Sequence, residues 1–221
     1  MLDANPRVGL CSTDTEIRID RHAGGRIFEN SPPLRGMVFE ELMKRQWISM
    51  SSAVIRREAL DLLCSAPGAC DWFDESLNVC EEADLFYRIA HDWEVDQAPE
   101  ALTVWSVHGA NTTLRKFGQF AEETRLILAK HRRIYPDYDL KHPDLVRTLE
   151  RRADFQEAVD LWRRGYGKKA RSLVAPHMNA SLKYRLFWLA SHLPGSFFGL
   201  AAKFYFALPG YLRKAGGRKG K

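Results

Sequence analysis

The pattern of apolar and polar positions divides the chain near residue 115. Before that point short apolar runs alternate with helical periodicity, which predicts an α/β or α+β layer. Beyond it the strand signals stop, and the pattern predicts an all-helical carboxyl-terminal region. The predicted strands are residues 7–13, 16–20, 26–28, 48–55, 93–96 and 102–107. The predicted helices are residues 37–45, 57–64, 79–91, 115–134, 143–165 and 168–174.

Turn-forming residues set the limits of these elements. Thr13 and Asp14 separate the first two strands, residues 22–25 (HAGG) predict a turn, and residues 65–75 predict a loop. Asn78 is the predicted N-cap of the helix 79–91. Glu81 follows it at the spacing of a capping box.

Charged residues are unevenly distributed along the chain. All 28 acidic residues of the chain lie at or before Asp160. Residues 1–160 have 20 basic against 28 acidic side chains, whereas residues 161–221 have 13 basic ones, no acidic ones and 11 aromatic ones. The two parts therefore have different surfaces and different expected partners.

The basic, aromatic segment 181–221 predicts an interfacial amphipathic tail. Residues 186–202 contain no Asp, Glu, Lys or Arg, but Pro194 and Gly195 interrupt them, and 17 residues are fewer than the about 20 that a spanning helix needs. We expect this tail to lie on an anionic membrane surface, at the inner face of the cell membrane in the cytoplasm. The alternatives are two core-packing helices with a solvated basic tail, or nucleic-acid binding. No nucleic-acid reader motif is present, so we expect no nucleic-acid partner.

The composition indicates a globular protein, and the use of cysteine indicates a reducing compartment. Hydrophobic residues make up 45% of the chain and charged residues 28%, which suffices for a core. The four cysteines form no C-x-x-C pair, which argues against a disulfide scaffold or a Cys-only zinc site and suits a reducing compartment. No n-region and h-region open the chain, so we expect no cleavable signal.

The candidate chemistry lies in residues 72–90 (WFDESLNVCEEADLFYRIA). Local effects account for most of these charges, because acidic residues in a first turn complement the helix dipole. Asp84 and Arg88 are four residues apart and can pair on one helix face. Glu82 has no such local role.

This segment resembles the carboxyl-terminal part of family 2 glycosyltransferases, which have the GT-A fold. The shared order is F-D-E-x-L, an acidic pair, and x-D-L-x-x-R, followed about 20 residues later by an apolar strand ending in histidine. Residues 48–56 look like the family's acceptor-side strand, and residues 105–113 are similar to its R-x-H-x-x-N-x-S segment. Residues 5–12 look like the stretch after its metal-binding segment. The resemblance covers about residues 1–115 and implies an α/β fold, a partial GT-A-like mixed sheet with flanking helices.

The resemblance implies an inverting transferase that uses a nucleotide-sugar donor and a glycan or lipid-linked acceptor. In the family the Asp of a Glu-Asp-x-Asp-Leu motif is the catalytic base. Glu82 holds that position here, and Glu81 is its neighbour. Such a reaction needs one carboxylate to take the acceptor proton, and positive charge on the leaving diphosphate, usually a divalent metal. The other implied site residues are Asp74, Glu75, Ser51 and Ser52 for the acceptor and His108 for the diphosphate or metal.

The donor half of the family would precede residue 1 and end in a D-x-D metal motif. Asp137 and Asp139 form a D-x-D by letters, but they follow a helix and Pro136, so we interpret them as a turn. We therefore expect a truncated transferase, inactive alone. Mn²⁺ or Mg²⁺ is expected for the full-length enzyme, and no cofactor for this chain alone.

The expected domains are an acceptor-side half over residues 1–114, a helical extension over 115–180, and the tail over 181–221. The alternative to the enzyme is a non-catalytic membrane-associated or interaction module derived from a glycosyltransferase.

Overall fold

A five-stranded mixed sheet and the helices that flank it make the chain a mixed α/β protein. The computed structural model describes residues 1–19, 22–30, 32–45, 48–65, 72–108, 116 and 118–199. Its contacts divide the chain into two compact units. Unit 1 comprises residues 1–115 and 137–145, and unit 2 comprises residues 116–136 and 146–221. The expected boundary between residues 115–180 and 181–221 stays a prediction.

The strands all lie in unit 1, and the described residues of unit 2 form helices and turns. The strands are β1 (Val8–Ile19), β2 (His22–Arg26), β3 (Arg35–Gly36), β4 (Val54–Ile55) and β5 (Glu94–Val107). The α-helices are α1 (Ile27–Asn30), α2 (Phe39–Lys44), α3 (Arg57–Ser65), α4 (Glu81–Asp92), α5 (Gln119–Ile134), α6 (Tyr138–Lys141), α7 (Pro143–Arg163), α8 (Gly167–Val174) and α9 (Leu182–Ala190). Short 3-10 turns cover Met50–Ser52, Ala175–His177 and Gly195–Phe197.

The central strand is β1, which pairs in parallel with β5 from Val8 to Ile19. On its other edge β1 pairs antiparallel with β4 near Leu10 and with β2 from Glu16 onward. The short strand β3 pairs antiparallel with the far edge of β5. The order β2-β1-β5-β3 confirms a mixed sheet.

Several predicted breaks in this sheet are wrong. Predicted strands 7–13 and 16–20 are the single strand β1, and predicted strands 93–96 and 102–107 are the single strand β5. The predicted turn at residues 22–25 is part of β2. The predicted strand 26–28 does not continue past Arg26, because α1 begins at Ile27.

Asp14 is the reason why β1 does not turn at the first predicted break. Its side chain is 2% exposed. Its Oδ1 accepts hydrogen bonds from the N–H groups of Thr15 at 2.7 Å and Phe28 at 3.1 Å, and its Oδ2 lies 2.9 Å from Nε of Arg26. Besides the N–H of the next residue, the carboxylate thus finds partners in Arg26 of β2 and Phe28 of α1, which a local turn would not provide.

A bulge in β5 accommodates the second predicted break. Thr13 lies opposite Ala98, but the next residue of β1, Asp14, lies opposite Ala101. Two residues of β5, Pro99 and Glu100, are therefore extra in the pairing. Since proline has no N–H for the ladder, a bulge is where a strand tolerates it.

The predicted strand 48–55 is mostly a turn. Met50–Ser52 form a 3-10 turn, and only Val54–Ile55 pair in the sheet. Ser52 Oγ donates to the carbonyl oxygen of Ser49 at 2.8 Å. Such a serine bond to the backbone competes with the sheet ladder.

The helical predictions are confirmed to within a few residues at each end. The confirmed helices are 37–45 as α2, 57–64 as α3, 79–91 as α4, 115–134 as α5, 143–165 as α7 and 168–174 as α8. Residues 115 and 117 of the predicted helix 115–134 lie outside the described residues, as do residues 66–71 of the predicted loop. The helix predicted to residue 165 ends at Arg163, and Gly165, with a φ of 89°, lies between α7 and α8.

In unit 1 the helix α4 packs against β1, α2 and α3. Its apolar side chains Leu85, Phe86 and Ile89 are each at most 1% exposed. Leu10 of β1 and Leu42 of α2 are equally buried. α4 is therefore fixed along its length by the core of unit 1.

Aromatic side chains form the core of unit 2. Trp162 is 2% exposed, and its ring meets that of Phe187 edge-on at 5.5 Å. Phe155 contacts both Phe187 and Tyr184 at 5.0 and 5.4 Å between ring centroids. Trp162 Nε1 donates to the carbonyl oxygen of Leu193 at 2.8 Å. These contacts join α7, α9 and the turn after α9.

The segment predicted to lie on a membrane is only partly described. α9 ends at Ala190, and a 3-10 turn begins at Gly195, so the apolar run is interrupted at the predicted place. Among the described helices, none combines the length and the apolar character that crossing a membrane requires. Residues 200–221 of the predicted tail lie outside the described residues.

Candidate functional site

The predicted site residues nearest to α4 lie on the segment of residues 72–80 that leads into it. This segment contains neither helix nor strand, and α4 begins directly after its N-cap, Cys80. Cys80 makes no side-chain capping bond. Asn78 is exposed, and its Nδ2 donates to the carbonyl oxygen of Ser76 at 3.5 Å. The predicted capping box of Asn78 and Glu81 is therefore wrong.

A buried ion pair holds this segment on α4. The side chains of Asp84 and Arg88 are 0% and 4% exposed, and Arg88 Nε lies 3.0 Å from Asp84 Oδ2. Arg88 Nη2 also donates to the carbonyl oxygen of Trp72 at 2.6 Å. The pairing predicted from the four-residue spacing is confirmed. The guanidinium joins the helix to the start of the segment.

Asp74 shapes the segment through a tight turn. Its Oδ1 accepts hydrogen bonds from the N–H of Ser76 at 3.0 Å and from the Ser76 hydroxyl at 2.6 Å. The N–H of Leu77 donates to the Asp74 carbonyl oxygen at 3.0 Å, and Leu77 is 5% exposed. This is an Asx-type turn anchored by a buried leucine. Glu75, at the turn, is exposed.

Glu81 and Glu82 form the acidic first turn of α4, and both are half-buried. A first helical turn has N–H groups without helical partners and the positive end of the helix dipole, so it favours carboxylates. Within the described part of the chain, Glu81 Oε2 is buried and accepts no hydrogen bond. Asp84, in the same turn, is fully buried against Arg88. Glu81 and Glu82 are thus the acidic residues of this turn that are only half-buried.

Ser51 and Ser52 lie in the 3-10 turn that contacts β1 and β5. Ser52 is 6% exposed and its hydroxyl bonds within the turn. Ser51 is exposed, with its Oγ 3.0 Å from Oγ of Ser49. Of the two, Ser51 offers a hydroxyl to solvent. Their role toward an acceptor stays a prediction.

His108 lies directly beyond the last residue of β5 and is exposed. β1, which pairs with β5 along its whole length, spans about 36 Å as an extended strand. α4 spans about 18 Å and leads through Trp93 into the opposite end of β5. Counted from Trp93, the strand extends about twice as far as the helix. Glu82, at the start of α4, and His108, beyond the end of β5, are therefore not expected in one site. Residues 109–113 of the predicted motif lie outside the described residues.

The described residues offer no ligand set for a divalent metal. No three or more histidine, cysteine or carboxylate side chains converge there. Asp137 has a left-handed backbone with a φ of 58° and precedes α6, and Tyr138 beside it is 2% exposed. The interpretation as a turn is therefore confirmed for Asp137, while Asp139 lies in the first turn of α6.

A polar cluster in the middle of the sheet was not predicted. Ser12, Asp14 and Gln97 are each at most 2% exposed. Gln97 Nε2 donates to Ser12 Oγ at 2.9 Å, and Gln97 Oε1 accepts from the N–H of Leu34 at 2.7 Å. All these partners belong to unit 1, so the cluster connects the strands to the residues before β3. The spacing of two between Ser12 and Asp14, which places both on one strand face, is the signal that could have found it.

Comparisons with protein-family models, with curated proteins and with solved structures found no match for this chain. The resemblance to family 2 glycosyltransferases therefore stays a prediction from motifs.

Replacement of Asp84 by asparagine tests the buried pair. Asp84→Asn leaves the Arg88 charge buried without its counter-charge, so we expect unit 1 to lose about 3 kcal/mol or more of unfolding free energy. Asp61→Asn is the matched control, since Arg57 and Asp61 also pair at a four-residue spacing, at 2.9 Å, but are 71% and 55% exposed. That variant should lose less than about 0.5 kcal/mol. Urea unfolding measures both, and equal losses would show that the buried pair has no special role.

Proposed function

We propose that residues 1–115 are the acceptor-side part of an inverting glycosyltransferase with a GT-A-like fold, in which Glu82 is the catalytic base. One observation carries this proposal: the carboxylates at the start of α4 are divided between two environments. Asp84 is buried against Arg88, while Glu82, two residues earlier, is half-exposed in the first turn. Glu82 also holds the position that the motif resemblance gives to the base.

The proposed reaction moves one proton and one glycosyl group. The Glu82 carboxylate takes the proton of an acceptor hydroxyl while the hydroxyl oxygen forms a bond to the anomeric carbon of the donor sugar. The bond from that carbon to the diphosphate oxygen breaks, and its electron pair leaves with the nucleoside diphosphate. Attack from the face opposite to the leaving group inverts the anomeric configuration.

The acceptor is proposed to lie against the segment before α4. Trp72 and Phe73 are 38% and 37% exposed, and exposed neighbouring apolar side chains mark ligand surfaces. Glu75 beside them is exposed and can accept hydrogen bonds from the hydroxyl groups of a glycan. Asp74 contributes by holding the turn, because its Oδ1 is bonded to Ser76.

The proposal assigns the acceptor side only. The resemblance implies a nucleotide sugar with Mn²⁺ or Mg²⁺, but the described residues do not form a fitting ligand set. His108 follows the end of β5 that is remote from α4, so it is not part of the proposed site of Glu82.

We further propose that residues 181–221 lie on an anionic membrane surface. Leu189, Leu193 and Phe197 follow one another at intervals of four residues and are 61%, 49% and 44% exposed. The same region carries Lys183 and Arg185 and no acidic residue. Exposed apolar side chains beside basic ones suit the interface of a bilayer with anionic headgroups.

Replacement of Glu82 tests the proposed base. Glu82→Gln should lower sugar transfer by on the order of a hundredfold or more, because an amide cannot take the proton. Glu82→Asp, which keeps a carboxylate, should retain much more activity than Glu82→Gln. Glu81→Gln should mainly lower the stability of the helix. Glu58→Gln is the matched control, since Glu58 is an exposed glutamate in the first turn of α3.

The measurement is transfer of radiolabelled sugar from uridine-, guanosine- and thymidine-diphosphate sugars to membrane acceptors. It uses an enzyme that joins this chain to the expected donor half, because the chain alone is expected to be inactive. Wild-type activity in the Glu82→Gln variant would remove Glu82 from the mechanism. Membrane binding without any transfer, with the donor half present, would favour the non-catalytic membrane module.

Vesicle co-sedimentation tests the membrane proposal. We expect binding to phosphatidylglycerol vesicles that weakens but persists at about 0.5 M salt, because salt screens the charges and not the apolar contact. Deletion of residues 181–221 would also remove Tyr184 and Phe187 from the core of unit 2. Point variants of exposed residues keep this core and are therefore the better test.

The double variant Leu189→Asn and Leu193→Asn should lose the part of the vesicle binding that persists at high salt. Leu140→Asn, which alters a leucine that is 81% exposed in unit 1, should keep it. Protein that stays in the supernatant with anionic vesicles at low salt would contradict the proposal.

A further inference from the structure

The outer edge of β5 is open along most of its length. β1 pairs with one edge of β5, and β3 meets the other edge only at Val95 and Asp96. Among the described residues, no strand pairs with this second edge over residues 97–107. The N–H and C=O groups along such an edge form a ready template for a further strand.

The sequence of this part of β5 is that of an interior strand, although it lies at an edge. Residues 101–107 (ALTVWSV) contain no charged residue and no proline. Near-continuous apolar runs of this kind are typical of strands that are covered on both faces. Val104 and Trp105, which point to opposite faces, are nevertheless 43% and 41% exposed, and Leu102 is 73% exposed. A strand added at this edge would cover side chains on both faces.

Pairing with β1 makes the last part of this edge regular. Residues 103–107 lie opposite residues 15–19 one by one, and the bulge that includes Leu102 ends before them. The Oγ1 atoms of Thr103 and Thr15 lie 2.8 Å apart, which supports this register. Residues 103–107, the β5 edge segment, are therefore held extended and ready to pair.

The opposite edge of the sheet is a poorer template. It is formed there by the five residues of β2, which include Gly24 and Gly25. The pairing of β2 with β1 also shifts register between Glu16 and Arg18. Glycine weakens a strand, and an irregular edge resists pairing with another chain. The β5 edge segment has no glycine, proline, lysine or register shift that would protect it in this way.

We propose that two copies of this chain dimerise by antiparallel pairing of their β5 edge segments. A two-fold axis at Trp105 places Thr103 opposite Val107 of the second copy, and each Trp105 opposite the other. All five residues of the regular segment then pair, and the bulge at Leu102 falls outside the contact. Cross-strand pairs of β-branched and of aromatic side chains stabilise such a ladder.

The distribution of charge favours a second copy as the occupant of this edge. A two-fold contact brings identical patches together, so a charged residue within it would meet its own kind. The β5 edge segment carries no charge. Antiparallel pairing also directs Glu100, before the segment, toward the end of the second copy that carries His108, and both residues are exposed. An acidic and a basic side chain thus approach each other at each end.

This inference goes beyond the proposed function and does not depend on it. The contact uses the end of β5 that is remote from α4, whereas Glu82 stands at the start of that helix. Dimerisation can therefore be present or absent whether or not Glu82 is a catalytic base.

Sedimentation of the whole chain as a function of concentration tests the dimer. Five paired residues a side are fewer than the about 20–30 of a standard interface, so we expect a reversible equilibrium with a dissociation constant of about 10 µM or weaker. Val104→Lys should weaken dimerisation at least tenfold, because a lysine on an edge strand opposes pairing. Val54→Lys is the matched control, since Val54 is 57% exposed in the strand β4, and it should leave the dissociation constant unchanged.

Amide hydrogen exchange shows whether the contact is a strand pairing. In the unaltered chain, every second N–H of the β5 edge segment should exchange severalfold more slowly above the dissociation constant than below it, because those groups gain a hydrogen bond. This measurement decides the question even if Val104→Lys fails to fold. A chain that is monomeric at about 1 mM, or a dimer whose edge-segment amides exchange at an unchanged rate, would overturn the proposal.

Two further outcomes would identify another contact instead. A dimer that is lost in the double variant Leu189→Asn and Leu193→Asn but kept in Val104→Lys would place the contact in unit 2 and overturn the pairing of β5. If the chain stays monomeric and the edge-segment amides slow only in the enzyme that carries the donor half, that half occupies the edge, and the second copy is overturned.

Discussion

Burial of the Asp84 and Arg88 pair is the constraint on which the start of α4 depends. Taking both charges out of water costs free energy that only their close contact and further hydrogen bonds offset. Arg88 meets this requirement by bonding to Asp84 within the helix and to the Trp72 carbonyl outside it. The segment before α4 and the helix are therefore held together. The proposed base, Glu82, takes its position from this contact because it stands on the same turn as Asp84.

The part of this site that the sequence predicts is the part with local causes. The Asp84 and Arg88 pair follows from a four-residue spacing on one helix, and α3, α4, α7 and α8 follow from apolar periodicity. The N-cap of α4 was placed wrongly, although its signal is also local. Asn78 fits a capping box by letters, but the turn that Asp74 makes with Ser76 and the burial of Leu77 bring the chain into the helix at Cys80.

The sheet could not be predicted in the same way, because its decisive contacts join distant residues. Thr13 and Asp14 look like a turn until the Asp14 carboxylate is seen to bind Arg26 and the N–H of Phe28. Pro99 looks like the end of a strand until the two-residue bulge against β1 is seen. Lys183 is a similar case in unit 2. Only the fold places its Nζ 3.8 Å from the ring centroid of Phe155, a residue of α7.

The central claim is that this chain contributes the base of an inverting glycosyl transfer. The most direct measurement is the anomeric configuration of the product, read by proton NMR from the coupling constant of the newly attached sugar. The account predicts that an α-linked nucleotide sugar gives a β-linked product, with one nucleoside diphosphate released per sugar transferred. An α-linked product, or release of free sugar with no glycosylated acceptor, would contradict it.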